Sequence, residues 1–375
     1  MVIFIFLGLV VTFVVPYFIY YFWMKRKMNE NWNLEINRNY QPKVSLIIPT
    51  YNEARVITKK LENVQKLDYP KDKLQVIIVD SASTDGTLET CKRFLETKTS
   101  CFPVILLSEK ERMGKSHALN TALESAEGEI IATSDADSFW EFDVLQKVVP
   151  FFADSRVGAI TGREELINLE KSIHTMSEGL YRKFYYTLRL GESKVHSTLI
   201  FQGELSFYRK SALERFEDKP GYSDDTGSMI KIVSRGYRGI FIPEAVFYDT
   251  AAYSLCGRLM LKSRRAQHLI SAITEAFTMK IKRRLPLPLS IVLFNFYMHV
   301  ISPLLLVCTV LIAVVYLEIF WPLFLIVLPF LIFKRSRIFI VSYLTSCLAL
   351  IIGLIRHLLG KRELAWHKIE EMRAQ

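Results

Sequence analysis

Paired cysteines are missing from this chain of 375 residues. Its five cysteines stand far apart and none forms a CxxC pair. That argues against a disulfide framework or a cysteine zinc site, and the thiols read as small buried hydrophobes or as free thiols in a reducing compartment. The seven histidines are equally scattered, with none paired at metal-ligand spacing. Glycine-rich phosphate loops are absent too. No GxGxxG follows the first strand-like run, and no GxxxxGK[ST] occurs; Gly114-Lys115-Ser116 ends that pattern, but its first glycine would fall on Glu109. Dinucleotide-binding and P-loop readings are therefore excluded. There is no internal repeat and no low-complexity stretch. Charges are nearly absent from the long apolar runs, which disfavours a transporter with ionisable groups inside its spans.

The apolar runs themselves lie at the two ends. Val2 to Trp23 carries no charge and is long enough to cross a hydrocarbon core of about 30 Å. No charged segment precedes it and no small-residue cleavage site follows it, so it reads as an uncleaved anchor rather than a signal peptide. Lys25, Arg26 and Lys27 come next and place that end in the cytosol. The C-terminal third holds three further runs, Leu287 to Leu317, Ile319 to Phe333 and Ile338 to Ile355. The middle one is about 22 Å long as a helix, short for a span. If all three cross, the tail with Arg356, Lys361 and Arg362 ends outside, against the positive-inside tendency. One of the runs is thus expected to lie in the interface or to re-enter. The net charge of +10 comes largely from clusters flanking these runs. It suits anionic lipid headgroups better than nucleic acid.

Tyr40 to Arg284 reads as a soluble α/β domain with a full core. Strand-like runs at Val44 to Ile48, Val76 to Val79, Val104 to Leu107 and Ile130 to Thr133 alternate with helical stretches at Glu62 to Leu67, Thr87 to Leu95 and Ser116 to Ser125. That alternation predicts a mostly parallel sheet with right-handed crossovers. Ligands then bind beyond the carboxyl ends of the strands. Polar residues stand at those ends: Tyr51, Asn52 and Glu53 after the first, Asp80 after the second, Asp135 and Asp137 after the fourth.

The run EIIATSDAD, Glu129 to Asp137, is the most informative in the chain. Alternation puts Asp135 and Asp137 on one side of a strand end. Two carboxylates so close repel unless a positive charge sits between them. A hard divalent cation, Mg²⁺ or Mn²⁺, bridged to phosphates is the natural partner. Two solvated loop aspartates are the plain alternative.

Five motifs occur in order: PTYNE (Pro49 to Glu53), VDSASTDGT (Val79 to Thr87), MGKSHALN (Met113 to Asn120), SDAD (Ser134 to Asp137) and SDD (Ser223 to Asp225). Together they resemble the family 2 glycosyltransferases of GT-A fold, over roughly Lys43 to Leu269. With its flanking apolar runs the chain is similar to the membrane-embedded branch of cellulose, chitin, hyaluronan and poly-N-acetylglucosamine synthases. The resemblance implies a GT-A domain over 43–284, an anchor over 1–24, a linker over 25–42, membrane segments over 285–356 and a polar tail over 357–375. It implies a multi-pass protein of the cell membrane with a cytosolic catalytic domain, and an enzyme of the EC 2.4 class. Pro49, Tyr51, Glu53, Asp80, Lys115 and Asp135 would bind the nucleotide-sugar donor, a UDP-sugar first among candidates. Asp137, with Asp135, would hold the cation. Asp225, with Asp224 beside it, would be the catalytic base. Gln202, Gly203 and Glu204 match the acceptor-side segment. The transferred group would be a hexose or an N-acetylhexosamine, and the acceptor a glycan or a lipid-linked glycan.

Processive members carry QxxRW after the base. Here the matching stretch is Lys262-Ser263-Arg264-Arg265-Ala266, so Lys262 replaces the glutamine and Ala266 the tryptophan. The stacking platform for an acceptor sugar is then missing. Arg264 and Arg265 are expected at the donor diphosphate, since Arg forks onto phosphate oxygens; a basic helix on anionic lipid is the alternative. Two rival functions stay open. A polyprenyl-phosphate acceptor is already an anion and needs no base. A non-catalytic membrane protein could simply bind a nucleotide sugar.

Overall fold

The computed structural model describes residues 1–97, 102–322 and 332–360. Most of the short middle apolar run, and residues 361–375 of the polar tail, lie outside the described residues. The strand-like runs form β1 (Val44–Thr50), β2 (Leu74–Asp80), β3 (Val104–Ser108) and β4 (Ile130–Thr133). They lie parallel in the order β3-β2-β1-β4. The crossover helices are α2 (Ile57–Gln65), α3 (Thr87–Thr97) and α4 (Lys115–Glu124). Because strand side chains alternate, each strand feeds two cores. Leu46, Ile48, Val76 and Ile78 pack with Ile57, Leu61 and Phe94 on one face. Ile47, Ile77 and Val79 pack with Ala118, Leu119 and Ala122 on the other.

After β4 the connectivity changes. The chain runs through β5 (Phe139–Trp140), α5 (Val144–Val148), β6 (Val157–Leu166), α6 (Ile173–Val195), β7 (Ser206–Arg209), α7 (Asp224–Ser234) and β8 (Arg238–Asp249). The sheet continues from β4 through β7, β6 and β8 to β5. β7 is antiparallel to both β4 and β6, β8 is parallel to β6, and β5 is an antiparallel edge on β8. The sheet is thus mostly parallel, as expected, and each antiparallel pairing involves a strand that follows the aspartate pair. Register brings the strand ends level. Thr50 lies opposite Asp80, Asp80 opposite Ser108, and Ile47 opposite Thr133.

The apolar ends form α1 (Val2–Lys27), α9 (Leu289–Phe296) running through a π-helical turn (Tyr297–Ile301) into α10 (Ser302–Val315), and α11 (Lys334–Leu358), with α8 (Leu255–Ile281) preceding them. The stretches Val2–Lys27, Leu289–Val315 and Lys334–Leu358 are long and apolar enough to cross a membrane. α1 is clamped to α6. A Cβ on Gly191 would stand 2.5 Å from the Met24 carbonyl oxygen, so only glycine permits that approach. Beside it the buried Glu192 accepts from Tyr20 (2.5 Å), Thr198 (2.7 Å) and Asn295 (2.7 Å), tying α1, α9 and the sheet domain together. α11 lies lengthwise along α8. Lys262 Nζ donates to Ser346 Oγ (2.9 Å), Gly353 abuts Ala266 and Gln267, and Ser271 Oγ bonds His357 Nδ1 (2.9 Å).

Candidate active site

The first two strand ends are laced into one rim. Asp80 is buried and accepts from the Ser83 hydroxyl (2.6 Å) and amide (3.1 Å) and from Thr50 Oγ1 (3.3 Å). The Asn52 amide donates to Ser83 Oγ (2.8 Å), and Asn52 Oδ1 accepts from the Thr84 amide (2.8 Å). Asn52 and Ala82 hold φ of 53° and 55°, the left-handed conformation that lets both turns face each other. Glu53 is buried, and its amide donates to Thr87 Oγ1 (2.7 Å). Next to Pro49 and Thr50, Tyr51 carries the Arg112 guanidinium over its ring at 3.8 Å. Tyr51, Glu53 and Asp80 therefore share one edge of the sheet.

The aspartate pair sits in a turn after β4. Ser138 N–H donates to the Asp135 carbonyl (3.4 Å), closing it. Lys60, fully buried on α2, donates to Ser134 Oγ and to the Ser138 carbonyl, both at 2.6 Å. Burial pushes the Lys60 ammonium down to about 7 against the pull of Asp135 and Asp137. Asn63 of the same helix pairs with the Trp140 backbone in both directions, at 2.8 and 2.9 Å.

The third group comes from the helix start at SDD. Ser223 caps α7, and its hydroxyl also donates to Asp225. The Thr226 amide donates to Asp225 Oδ1 at 2.5 Å. The capping role and a place in the cleft coexist. Lys115 Nζ bridges the turn and this helix, 2.5 Å from Asp135 and 3.6 Å from Asp224. Gly203 lies over the bridge. A Cβ there would be 2.9 Å from Lys115 Nζ, 3.4 Å from Asp224 Oδ2 and 3.5 Å from Asp225 Oδ2. One residue thus measures the closeness of Lys115, Asp224 and Asp225. Arg265 of α8 reaches the same place, with Nη2 2.8 Å from Glu204 Oε1. Arg264, its neighbour, is half-buried on α8.

The electrostatics follow from crowding. Burial pushes Asp225 up to about 7, with the Asp224 charge adding to it. Burial raises Asp135 to about 6, although Lys115 pulls the other way. Burial works against the Lys115 ammonium too, but Asp135, Asp224 and Glu204 outweigh it and hold the group charged. Glu204 is likewise desolvated, yet Arg265 and Lys115 keep it below the usual carboxylate range.

Several residues here carry no sequence motif. Asp249 ends β8 with its Oδ1 on the Thr250 amide (2.6 Å), and burial, then Asp137, push it up to about 8. Gln202 receives Arg189 Nη1 on its oxygen (2.7 Å) and donates to Glu164 (2.8 Å). Glu164 pairs with Arg182, which pairs with Glu178 at 3.1 Å. Glu178 also holds Arg258 and Lys262 of α8. Lys60, Glu164, Arg189 and Asp249 stand among other polar residues or at element ends, and nothing local distinguishes them from solvated ones.

The donor set suits a divalent cation. Asp135 and Asp137 are partly buried hard-oxygen groups in the turn that follows β4. Among the described residues no three His, Cys, Asp or Glu groups close around a point. A Mg²⁺-type ion takes one or two carboxylates and completes its shell with phosphate and water, so Asp135 and Asp137 would be its protein ligands.

Residues 45–216 match the model of the family "Glycosyl transferase family 2". A mannosyltransferase from Pyrobaculum calidifontis, solved in complex with GDP-Man and Mn2+, superposes with a TM-score of 0.83. It is 32% identical, over 96% of this chain and 100% of that one. The chain belongs to the family 2 glycosyltransferases, and its sheet is the GT-A fold. A probable glycosyltransferase, YdaM of Bacillus subtilis, is 30% identical over 57% of this chain and 52% of its own length. A poly-beta-1,6-N-acetyl-D-glucosamine synthase of Staphylococcus aureus is 26% identical over 73% of this chain and 66% of its own length. The chain thus spans between about half and two thirds of these curated relatives.

Proposed function

We propose that this protein is an inverting, cation-dependent glycosyltransferase at the cytosolic face of a membrane. It moves a sugar from a nucleoside-diphosphate donor to a hydroxyl of a glycan or glycolipid. The observation that carries this reading is the meeting of Lys115, Asp135, Asp224 and Asp225 around Gly203. Glu53 follows β1, the neighbour of β4, and Asp80 ends β2, two strands from β4 or about 10 Å by strand spacing. A nucleoside held at that rim places its diphosphate over the aspartate turn.

The division of labour follows from charge. As the glycosidic bond breaks, negative charge builds on the leaving diphosphate. Lys115 and Arg265 oppose it directly. A divalent cation held by Asp137 and Asp135 supplies Lewis-acid stabilisation of the same oxygens when bound. The acceptor hydroxyl enters beside Gln202–Glu204, and Asp225 takes its proton. A carboxyl raised to about 7 is a stronger base than an ordinary aspartate. The attack comes from the face opposite the leaving group, so the anomeric centre inverts and no protein nucleophile is needed.

The anchor over 1–24, linker over 25–42, catalytic domain over 43–284, membrane segments over 285–356 and tail over 357–375 remain our division of the chain. The lengthwise packing of α11 on α8 supports placing α11 in the interface, which keeps Arg356 on the cytosolic side as the positive-inside tendency asks. GDP-mannose is the donor to screen first, because the similar structure spanning the whole chain holds it; UDP-sugars follow. The decisive experiment is Mn²⁺-dependent transfer and donor hydrolysis by the purified protein. Asp137→Asn and Asp225→Asn should each abolish transfer, and near-normal rates in both would discard the reading. Full activity in Asp225→Asn with loss in Asp137→Asn would point instead to a polyprenyl-phosphate acceptor.

A further inference from the structure

Lys60 occupies an expensive position. Its side chain is wholly buried, and an unpaired ammonium there carries a heavy desolvation penalty. An apolar chain of the same length would fill the space without that cost. Among the described residues, its donors go to one target. Ser134 Oγ and the Ser138 carbonyl, each 2.6 Å away, are the two ends of the turn that carries Asp135 and Asp137. Asn63, one turn later on α2, fixes Trp140 just beyond that turn. The start of α2 is itself tied to the donor rim, since the amides of Val56 and Ile57 donate to the Glu53 carbonyl. One helix therefore spans from the nucleoside rim to the aspartate turn.

We propose that Lys60 is a positioning residue for the cation. It holds both ends of the 134–138 turn so that the two aspartates face the incoming ion ready-shaped. The inference rests on the reading that Asp135 and Asp137 bind that ion. Two effects compete at this site. Removing the ammonium frees the turn, which weakens the cation. It also deletes a like charge behind the aspartates, which strengthens it. Both bonds are 2.6 Å long and end on the turn itself, holding its two ends at once, so the geometric effect dominates. Groups that orient metal-binding side chains typically account for about 10–100-fold in metal affinity.

The test is a Mn²⁺ titration of the detergent-purified full chain, followed by electron paramagnetic resonance, with GDP or UDP present. Lys60→Met should weaken Mn²⁺ about tenfold, and Ser134→Ala, which keeps the charge but removes one Lys60 bond together with the hydroxyl's own 3.3 Å bond to the Asp135 carbonyl, by a few-fold. Nucleotide affinity without Mn²⁺ should not change in either. Unchanged Mn²⁺ affinity in Lys60→Met would reduce Lys60 to a purely structural role, and tighter binding would leave it as a counter-charge; either overturns the proposal. If Lys60→Met does not fold, wild-type Mn²⁺ affinity in Ser134→Ala overturns it alone. A wild-type protein that binds no Mn²⁺ with either nucleotide removes the cation reading and this inference together.

Discussion

Gly203→Ala tests whether the site is assembled as described. The added Cβ would sit 2.9 Å from Lys115 Nζ. Ordinary contact needs about 3.5 Å, so the ammonium must retreat by roughly 0.6 Å. It is the far end of a flexible side chain, so the tip yields before the backbone does. The retreat does, however, move the ammonium out of its 2.5 Å contact with Asp135. A misplacement of about 1 Å at a reacting centre costs around a hundredfold. A shift of roughly half that size should lower kcat/KM about tenfold, while stability changes by less than about 1 kcal/mol. The assay is transfer from the active nucleotide sugar in detergent, beside a thermal melt of the same preparation. Activity within twofold of wild type in a normally folded protein would refute the placement of Lys115 under Gly203. A large drop in melting temperature would refute the claim that only a side-chain tip yields.

Asp225 is pushed up to about 7, so it keeps its proton longer than a free aspartate. A base must be deprotonated, and kcat/KM should therefore rise through about pH 7 to a plateau above it; a flat profile between about pH 6 and 8 would count against Asp225 as the base. Asp249 is pushed up to about 8, mainly by burial. A carboxyl with a raised native pKa loses stability as pH climbs from its unfolded value through the native one. The melting-temperature gain of Asp249→Asn should accordingly grow between about pH 5 and 9. Glu178 is the buried partner of Arg258, Arg182 and Lys262. Glu178→Gln leaves those cations without a full counter-charge and should cost about 3–5 kcal/mol, read as an early melt of the α6–α8 joint.

Much of the strand-and-helix order, and of what stands after each strand, was legible without coordinates. Alternating strand and helix runs place Asp80, Asp135 and Asp137 at strand ends, because alternation and β-propensity are properties of a few neighbouring residues. The order of the five motifs carries Lys115 and Asp225 into the same proposal, and the match of Gln202, Gly203 and Glu204 to the acceptor-side segment adds Gly203. Strand order, and with it the closeness of those groups, comes from which apolar faces bury against each other over long separations. That is why Lys60, a lysine on a helix face, turns out to lie wholly inside and to hold a turn more than seventy residues away. Asp249 becomes part of the cleft only because β8 pairs with β5, setting Tyr248 opposite Phe139 beside the aspartate turn. Likewise, hydropathy marks α11 as apolar, but only packing against Lys262, Ala266 and Ser271 lays it along α8. Local periodicity thus determined the elements and the chemistry at their ends; burial of distant faces decided which of those ends meet.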